Sequence, residues 1–452
     1  MKIILKNFRI IDEETDMRAG VVVENGIIKE VLPGQDSFHN EDAAVIIDGN
    51  GLSSPAVGGL PLLMPAFVDL HAHFRDSLIY EKGNPAPSET LESASLSAAV
   101  GGFGTVVCMA NTRPTIDTVE KAAALKKRSN VLGLVDLYPV LSLTKNMEGK
   151  ELSEITLLSG NPGAFILMLS EDGKDIADDD LFLAAMEEAK RLNIPVSCHC
   201  DYGGEEAEAA KKAGQSRSVW SRIEENNAVI RVIELGKKAG CHVHIAHVST
   251  KEAVETIRRA KAELSGRNNS SGFSLTCEAM PHNLCLTEED AKKLGDESWG
   301  RVNPPLRLEA DRLALIQAVA DGTIDAIATD HAPHSDADKA AGVPGFSGFE
   351  TAFAAAYTEL VRSSGIGIKR LSSLMSAGPA RLLGFGSGPQ KRGRILPGYR
   401  ADLVMVDTEA SCIVDTETFK TRGKNSPFAG RRLYGKILMT LHAGRVVFSA
   451  VP

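Results

Sequence analysis

The chain has 452 residues, 43% of them hydrophobic and 24% charged, and its formal net charge is −9. This composition supplies at least one large core, which excludes a disordered or low-complexity protein. The acidic balance and the lack of a basic patch also predict that nucleic acid is not a partner.

The sequence predicts a cytoplasmic protein with no membrane attachment. No run of residues approaches the roughly 18 apolar residues of a membrane span, and charged residues interrupt the N-terminal segment too early for a signal peptide. The seven cysteines are irregularly spaced and odd in number. They therefore predict a reduced compartment rather than a disulfide framework.

Both ends of the chain show short alternating strands separated by turns. Residues 1–60 contain Asn25-Gly26 and Pro33-Gly34 between such strands, and residues 394–452 follow the same pattern. Neither piece is long enough for a comfortable core of its own. We therefore expect the two ends to pair into one small β-sandwich beside a middle domain at 61–393.

The middle domain alternates apolar runs of strand length with helical stretches such as 179–192, 225–239 and 309–320. Eight runs of this kind are present: 67–71, 105–109, 134–138, 164–168, 195–199, 242–246, 274–278 and 325–329. Eight parallel strands with intervening helices close a barrel. The predicted fold class is therefore α/β, a (β/α)8 TIM-like barrel with a β-sandwich formed by both chain ends.

Histidines and acids stand at the carboxyl ends of these runs, where this architecture places its active sites. His71 and His73 close the first run, and their spacing of two points both rings to the same side of an extended chain. The others follow or end later runs: Asp172, His199, His247 and Asp330. Four imidazoles and two carboxylates at one rim predict one or two divalent cations per chain, zinc first by ligand type.

Neighbouring residues of similar chemistry receive a different interpretation. Cys198 and Cys200 flank His199 and point away from its side of the strand, so we interpret them as packing residues. His244 lies three residues before His247 and faces the other way. It is predicted either to support a metal ligand from behind or to have a structural role, rather than to bind metal itself.

Several motifs at the run ends together resemble one known family. They are FVDLHAHFR (67–75), NTRP (111–114), EDG (171–173), HIAHVST (244–250), NPPLR (303–307), ATDHAPH (328–334) and GKNSPF (423–428). The sequence closely resembles dihydroorotases of the bacterial multi-domain type, within the amidohydrolase superfamily. The resemblance covers nearly the whole chain.

This resemblance implies roles for the matching residues. His71 and His73 would hold one zinc with Asp330, Asp172 would bridge to a second metal, and His199 and His247 would complete the second site. Asp330 would also move the catalytic proton. The residues matching substrate-binding positions are His73, Arg75, Asn111, Asn303, His334, Pro344 and Gly345.

The implied reaction is the reversible interconversion of (S)-dihydroorotate and N-carbamoyl-L-aspartate in de novo pyrimidine (UMP) biosynthesis. The implied partners are the small-molecule substrate, further copies of the chain in a homo-oligomer, and aspartate carbamoyltransferase. Two alternatives remain open: a related enzyme acting on a hydantoin, dihydropyrimidine or allantoin, and a catalytically silent relative that scaffolds a carbamoyltransferase.

The sequence departs from the family pattern in places. Arg75 runs into Asp76 rather than Glu-Pro-Gly, Ala110 precedes Asn111 where the family has proline, and Asn283 follows His282 where the family has a second histidine. Many relatives bridge their metals with a carboxylated lysine on the fourth strand, yet residues 163–170 contain no lysine. Asp172, just past that strand, can supply the bridge instead.

The stretch 335–347 is predicted to be a mobile lid. It follows the eighth run, lacks apolar periodicity and contains Gly342 and Gly345. The expectation rests on the premise that few contacts hold this stretch in place without ligand.

Overall fold

The computed structural model describes residues 1–34, 44–52, 59–75, 88–158, 165–265 and 272–451. Its strands fall into a sheet built by the two chain ends and a set of parallel strands in the middle. The first five strands are β1 (Lys2–Ile11), β2 (Asp16–Glu24), β3 (Ile27–Pro33), β4 (Ala44–Asp48) and β5 (Leu62–Pro65). The middle strands are β6 (Phe67–Ala72), β7 (Phe103–Cys108), β8 (Asp136–Pro139), β9 (Leu141–Ser142), β10 (Leu169–Ser170), β11 (Val196–Cys198), β12 (His242–Ile245), β13 (Ser274–Ala279) and β14 (Ala326–Ile327). The last three are β15 (Leu403–Ile413), β16 (Arg432–His442) and β17 (Arg445–Ser449).

The terminal sheet joins both ends of the chain in the strand order β17-β16-β15-β5-β1-β2-β3, with β4 paired to β1. Strand β5 lies between the two ends, parallel to β1 and antiparallel to β15. Alternate residues of β1 and β15, including Ile3, Leu5, Leu403 and Met405, meet in one apolar cluster. The prediction that the two ends pair with each other is confirmed, and their described strands form one eight-stranded sheet rather than two separate ones.

The middle strands form the predicted barrel. Strands β6, β7 and β8 pair in parallel, as do β9 to β14 in order. Only Val140 separates β8 from β9, so the third barrel strand bends there and joins the two sets. The ring closes where Ala72 bridges His331 in parallel and the His73 amide donates to the His331 carbonyl over 2.8 Å.

The fourth barrel strand differs from its prediction. The sequence places it at 164–168, but the ladder forms at Leu169–Ser170, which pair with Leu141–Ser142 and with Val196 and Ser197. Ile166 and Met168 are buried in the core without belonging to a strand. The apolar run therefore reports burial of this segment rather than strand pairing, and Ala164 itself lies outside the described residues.

The helices pack around the barrel strands. They are α1 (Leu91–Val100), α2 (Val119–Leu132), α3 (Asp179–Leu192), α4 (Gly204–Lys212), α5 (Arg217–Ala239), α6 (Lys251–Ser265), α7 (Pro281–Cys285), α8 (Glu288–Leu294), α9 (Glu309–Asp321), α10 (Asp336–Ala340), α11 (Phe349–Ala356), α12 (Ile368–Ser372) and α13 (Gly378–Leu382). Helix α3 shows why these stretches are helical: Asp178 caps its first amides, Asn193 ends it in a left-handed conformation, and one face is buried. Within the ranges given above, no helix is long and apolar enough to cross a membrane.

Candidate metal centre

Six side chains from five barrel strands meet at one end of the barrel. They are His71, His73, Asp172, His199, His247 and Asp330, each at or just beyond the carboxyl end of its strand. All six are buried, and His199, the most exposed, has 8% of its surface accessible. Parallel strands bring their carboxyl ends to one rim, which explains why residues so far apart in sequence converge.

The first group surrounds the two histidines of β6. Nε2 of His71 lies 3.2 Å from Oδ1 of Asp172, and Nε2 of His73 lies 3.5 Å from Oδ2 of the same carboxylate. Asp330 stands on the other side, with Oδ1 3.0 Å from His73 Nε2. Both rings therefore direct the same nitrogen toward a pair of carboxylates.

The second group approaches the same oxygen of Asp172 as His71 does. His199 Nδ1 is 3.3 Å and His247 Nε2 is 3.8 Å from Asp172 Oδ1. The two imidazole nitrogens are 2.7 Å apart. In each group the ligand atoms lie within 4.8 Å of one another, and Asp172 belongs to both.

The donor atoms fit a divalent cation. His71 Nε2 and Asp172 Oδ1 are buried and make no hydrogen bond with any described part of the chain. Buried polar atoms without partners are costly, and imidazole nitrogens around a carboxylate oxygen are the ligands that zinc prefers. A cation shared by these atoms would satisfy them, so the arrangement suits metal binding better than it suits an apo site.

Glu278 fixes the orientation of His71, a role the sequence analysis did not assign. His71 Nδ1 donates to Oε1 of Glu278 over 3.0 Å, and His244 Nε2 lies 3.1 Å from its Oε2. Burial alone raises the pKa of Glu278, but the charges and hydrogen bonds of His244 and His71 outweigh this and lower it to about 2. The ionised carboxylate holds the proton of His71 on Nδ1 and leaves Nε2 free for a metal.

Two further contacts orient the other ligands. His73 Nδ1 donates to Oδ1 of Asn111 over 2.8 Å, and His199 Nε2 donates to Oδ2 of Asp201 over 3.1 Å. Asp201 and Glu278 were both missed from the sequence. A signal existed for each, because Glu278 ends the seventh apolar run and Asp201 follows the fifth, as the proposed ligands do in their own runs.

Replacing Glu278 with glutamine is expected to weaken metal binding by about 10- to 100-fold, because the amide lacks the charge that supports His71. Competition against a chromophoric chelator measures this affinity. Glu350→Gln is a matched control, since Glu350 is also largely buried and accepts hydrogen bonds from Ser97 and the Thr421 amide. Metal affinity within twofold of the parent protein in Glu278→Gln would contradict the orienting role.

Strained backbone is concentrated at this rim. Arg75, His247 and Asp330 have positive φ values of 50°, 34° and 46°. Side chains other than glycine rarely adopt this conformation, and strain of this kind persists where surrounding contacts impose it, often at functional sites. Here it turns three of the predicted site residues away from the paths of their strands.

Arg75 and His334 lie at the mouth of the metal centre. Burial lowers the pKa of Arg75, while the charges of Asp330 and Asp172 oppose this shift. Its Nε is buried and has no hydrogen-bond partner among the described residues; Asp76 and Glu81, which could pair with it, lie outside them. Burial and the charge of Arg75 lower the pKa of His334 to about 3, so its ring is neutral.

The remaining predicted contacts surround the same mouth. Asn303 Nδ2 lies 3.2 Å from His199 Nε2, and Arg217 donates to Asn303 Oδ1 over 3.3 Å. The ring of His334 contacts the backbone of Pro344. Gly345 has a φ of +138°, and a Cβ there would come within 2.8 Å of Ala332. The structure thus brings together all of the residues that the sequence analysis assigned to substrate.

The premise behind the predicted lid is wrong. Stretch 335–347 contains α10, whose first turn is capped by reciprocal hydrogen bonds between Ser335 and Asp338. Lys339 and Phe346 within it are buried. The sequence concealed these anchors because they are one isolated phenylalanine and a lysine bound to backbone carbonyls, which give no apolar periodicity.

Comparisons with known proteins agree with this geometry. The model of the amidohydrolase family matches residues 62–447. A dihydroorotase from Clostridium botulinum (strain Eklund 17B / Type B) is 36% identical over 448 residues, which is 99% of this chain and 100% of that protein. The chain belongs to the amidohydrolase family and, within it, to the dihydroorotases. A second dihydroorotase, from Bacillus caldolyticus, is 36% identical over 460 residues, 99% of each chain.

Solved amidohydrolase structures share the fold. The L-hydantoinase (dihydropyrimidinase) from Arthrobacter aurescens has a TM-score of 0.81 at 25% identity, covering 100% of this chain and 96% of that one. The dihydropyrimidinase from Brevibacillus agri NCHU1002 has a TM-score of 0.79 at 20% identity, covering 99% and 95%. The family resemblance and the barrel fold predicted from the sequence are confirmed. As a member of this family, the protein is an enzyme that acts on cyclic amides, and it carries His and Asp groups able to bind a metal.

Proposed function

We propose that the protein interconverts (S)-dihydroorotate and N-carbamoyl-L-aspartate, the ring-closing step of de novo pyrimidine (UMP) biosynthesis, with one or two zinc ions per chain. The observation that carries the proposal is the buried convergence of two ligand groups on Asp172 beside Arg75. The first feature suits hydrolysis of an unreactive amide, and the second suits a substrate with a carboxylate.

The ligand groups divide between two positions. His71, His73 and Asp330 would hold one zinc, His199 and His247 the other, and Asp172 would bridge them. Asp172 takes the place of a carboxylated lysine, because no lysine lies in segment 163–170. Bound zinc supplies Lewis-acid activation of water and of the scissile carbonyl.

Asp330 is placed to move the proton. Burial would raise its pKa, but the hydrogen bond from His73 and the charge of His71 hold it well below the usual range of a carboxyl group. The carboxylate is therefore ionised at neutral pH and can accept the proton of the attacking water. It would then deliver that proton to the departing ring nitrogen, which must lie within hydrogen-bond reach.

The mouth residues would recognise the substrate. Arg75 offers a planar pair of donors to the carboxylate, which a lysine does not reproduce. Asn111 and the neutral ring of His334 would add hydrogen bonds, as would Asn303. Pro344 and Gly345 would contribute backbone groups against the pyrimidine ring.

Removal of metal is expected to abolish turnover of dihydroorotate, and addition of zinc to restore it. The experiment strips the protein with a chelator, verifies the metal content by elemental analysis and follows dihydroorotate spectrophotometrically. The buffer-exchanged protein, carried through the same steps without chelator, is the control. Full activity in verified metal-free protein would contradict the proposal. A metal-replete protein without turnover would favour the alternative of a catalytically silent relative that scaffolds a carbamoyltransferase.

The cellular setting is also part of the proposal. We place the protein in the cytoplasm as a homo-oligomer that can associate with aspartate carbamoyltransferase. We propose the domain divisions 1–60, 61–393 and 394–452, with β5 (Leu62–Pro65) at the start of the middle range joined to the terminal sheet. The family resemblance supports the homo-oligomer and the association. Analytical ultracentrifugation with and without the carbamoyltransferase tests these two points.

A further inference from the structure

Lys339 is a lysine with 0% exposed surface in the segment after the last barrel strand. Its ammonium donates to the backbone carbonyls of Arg301, Val343 and Gly345 over 2.8, 3.0 and 3.0 Å. Lysine is rarely buried this completely without an anionic partner. Three carbonyls converging on one ammonium therefore mark a position built to hold that charge.

The ammonium joins two segments that both carry proposed substrate contacts. Arg301, two residues before Asn303, also accepts the Gly345 amide at its carbonyl over 3.1 Å. Gly345 is one of the two residues, with Pro344, that we propose to contact the substrate through their backbone. Lys339 therefore sits where the chain after β13 and the chain after β14 meet.

Asn425 completes the same junction from the segment between β15 and β16. Its Nδ2 donates to the Gly345 carbonyl over 2.8 Å, so this oxygen accepts from both Asn425 and Lys339. Its Oδ1 accepts from the His334 amide over 3.0 Å and from Ser347 Oγ over 3.2 Å. A third proposed substrate residue, His334, is thus tied to the same point.

We propose that Lys339 and Asn425 are positioning residues that hold the Pro344-Gly345 segment in its substrate-binding conformation before substrate arrives. The inference rests on the substrate contacts proposed above. Gly345, at φ +138°, adopts a conformation that needs outside contacts to define it. Holding the segment in advance removes an ordering cost that would otherwise weaken substrate binding.

Lys339→Met is expected to raise the KM for dihydroorotate by about tenfold or more, because charge-assisted hydrogen bonds to the segment are lost. The kcat should fall by no more than a few-fold and the metal content should not change, since Lys339 touches neither the ligands nor the reacting atoms. Lys126→Met is the matched control. Lys126 also has a pKa lowered to about 8 and donates to a backbone carbonyl, that of Leu137. It belongs to α2, however, and its ammonium reaches β8.

The dependence of KM on pH distinguishes this positioning role from a purely structural one, because a purely structural lysine would not change the KM as it loses its proton. Burial, with the charges of Arg301 and Arg217, lowers the pKa of Lys339 to about 8. His334 also faces the ammonium and is neutral. Lys339 is protonated below that pH and loses its charge above it. The KM of the parent protein should therefore rise above about pH 8. Lys339→Arg should delay this rise, and Lys339→Met should abolish it.

Hydrogen exchange tests the junction without any turnover. The amides of Val343 and Gly345 donate to the backbone carbonyls of Asp338 and Arg301. Lys339→Met should speed their exchange about tenfold or more, while Lys126→Met leaves it unchanged. If the parent protein fails to turn over dihydroorotate, the proposed function falls, but this exchange comparison still decides the inference.

Unchanged KM and unchanged exchange in Lys339→Met, each within twofold, would overturn the inference. Should Lys339→Met fail to fold, Asn425→Asp decides instead. That variant keeps the acceptor for His334 and Ser347 but removes the donor to Gly345. We expect it to raise KM and speed exchange of the Gly345 amide, and parent-like values for both would overturn the inference equally.

Discussion

Asp330→Asn is expected to lower kcat for dihydroorotate by about 10²- to 10⁴-fold while leaving KM within a few-fold. The amide has nearly the shape of the carboxylate but cannot accept the proton of the attacking water. In the parent protein this carboxylate is kept ionised by His73, whose Nε2 lies 3.0 Å from Oδ1. Steady-state kinetics in both directions of the reaction measure the effect.

Metal content must be determined in the same samples, because Asp330 is also a proposed ligand. Asp311→Asn is a matched control: Asp311 is 1% exposed and pairs with Arg222 on the outer face of the barrel. The Asp311→Asn variant should lower the stability of the protein and leave its kcat unchanged. If Asp330→Asn keeps its full metal content and a near-normal kcat, a residue other than Asp330 accepts the proton of the attacking water.

Arg75→Lys is expected to lower kcat/KM for dihydroorotate by about 100-fold or more, since a charge-assisted bidentate contact is worth a few kcal/mol. The parent protein should prefer dihydroorotate to dihydrouracil, which differs only in lacking the carboxylate. The variant should lose most of that preference, because dihydrouracil gains nothing from the guanidinium. Comparing kcat/KM for both compounds in both proteins isolates the carboxylate contact.

Arg392→Lys controls for the loss of a buried guanidinium. Arg392 is 3% exposed and pairs with Asp136 at the far end of the barrel. The Arg392→Lys variant should leave the preference for dihydroorotate over dihydrouracil unchanged. Equal turnover of dihydrouracil or hydantoin and dihydroorotate by the parent protein would replace the dihydroorotase proposal with the dihydropyrimidinase-like alternative.

The proposed metal ligands could be predicted because each one carries a local signal. His71 and His73 are two residues apart on one strand, and the others stand at the ends of apolar runs. Glu278 carries the same signal, since it ends the seventh apolar run. Its role in orienting His71 could not be predicted, because the two residues are 207 positions apart. Which carboxylate faces which ring depends on the order and tilt of the barrel strands, and no local pattern contains that information.

From the sequence we could predict the alternation of strands and helices, the pairing of the two chain ends and the ligand types at the rim. Backbone geometry explains this, because side-chain periodicity and strand direction dictate which residues reach the carboxyl ends of a parallel barrel. Two features could be found only in the folded chain: the fourth ladder forms at Leu169–Ser170, and Lys339 anchors stretch 335–347. A buried segment has the same run of apolar residues whether or not it forms hydrogen bonds with a neighbouring strand. A lysine that binds backbone carbonyls cannot be distinguished in the sequence from a lysine on the surface.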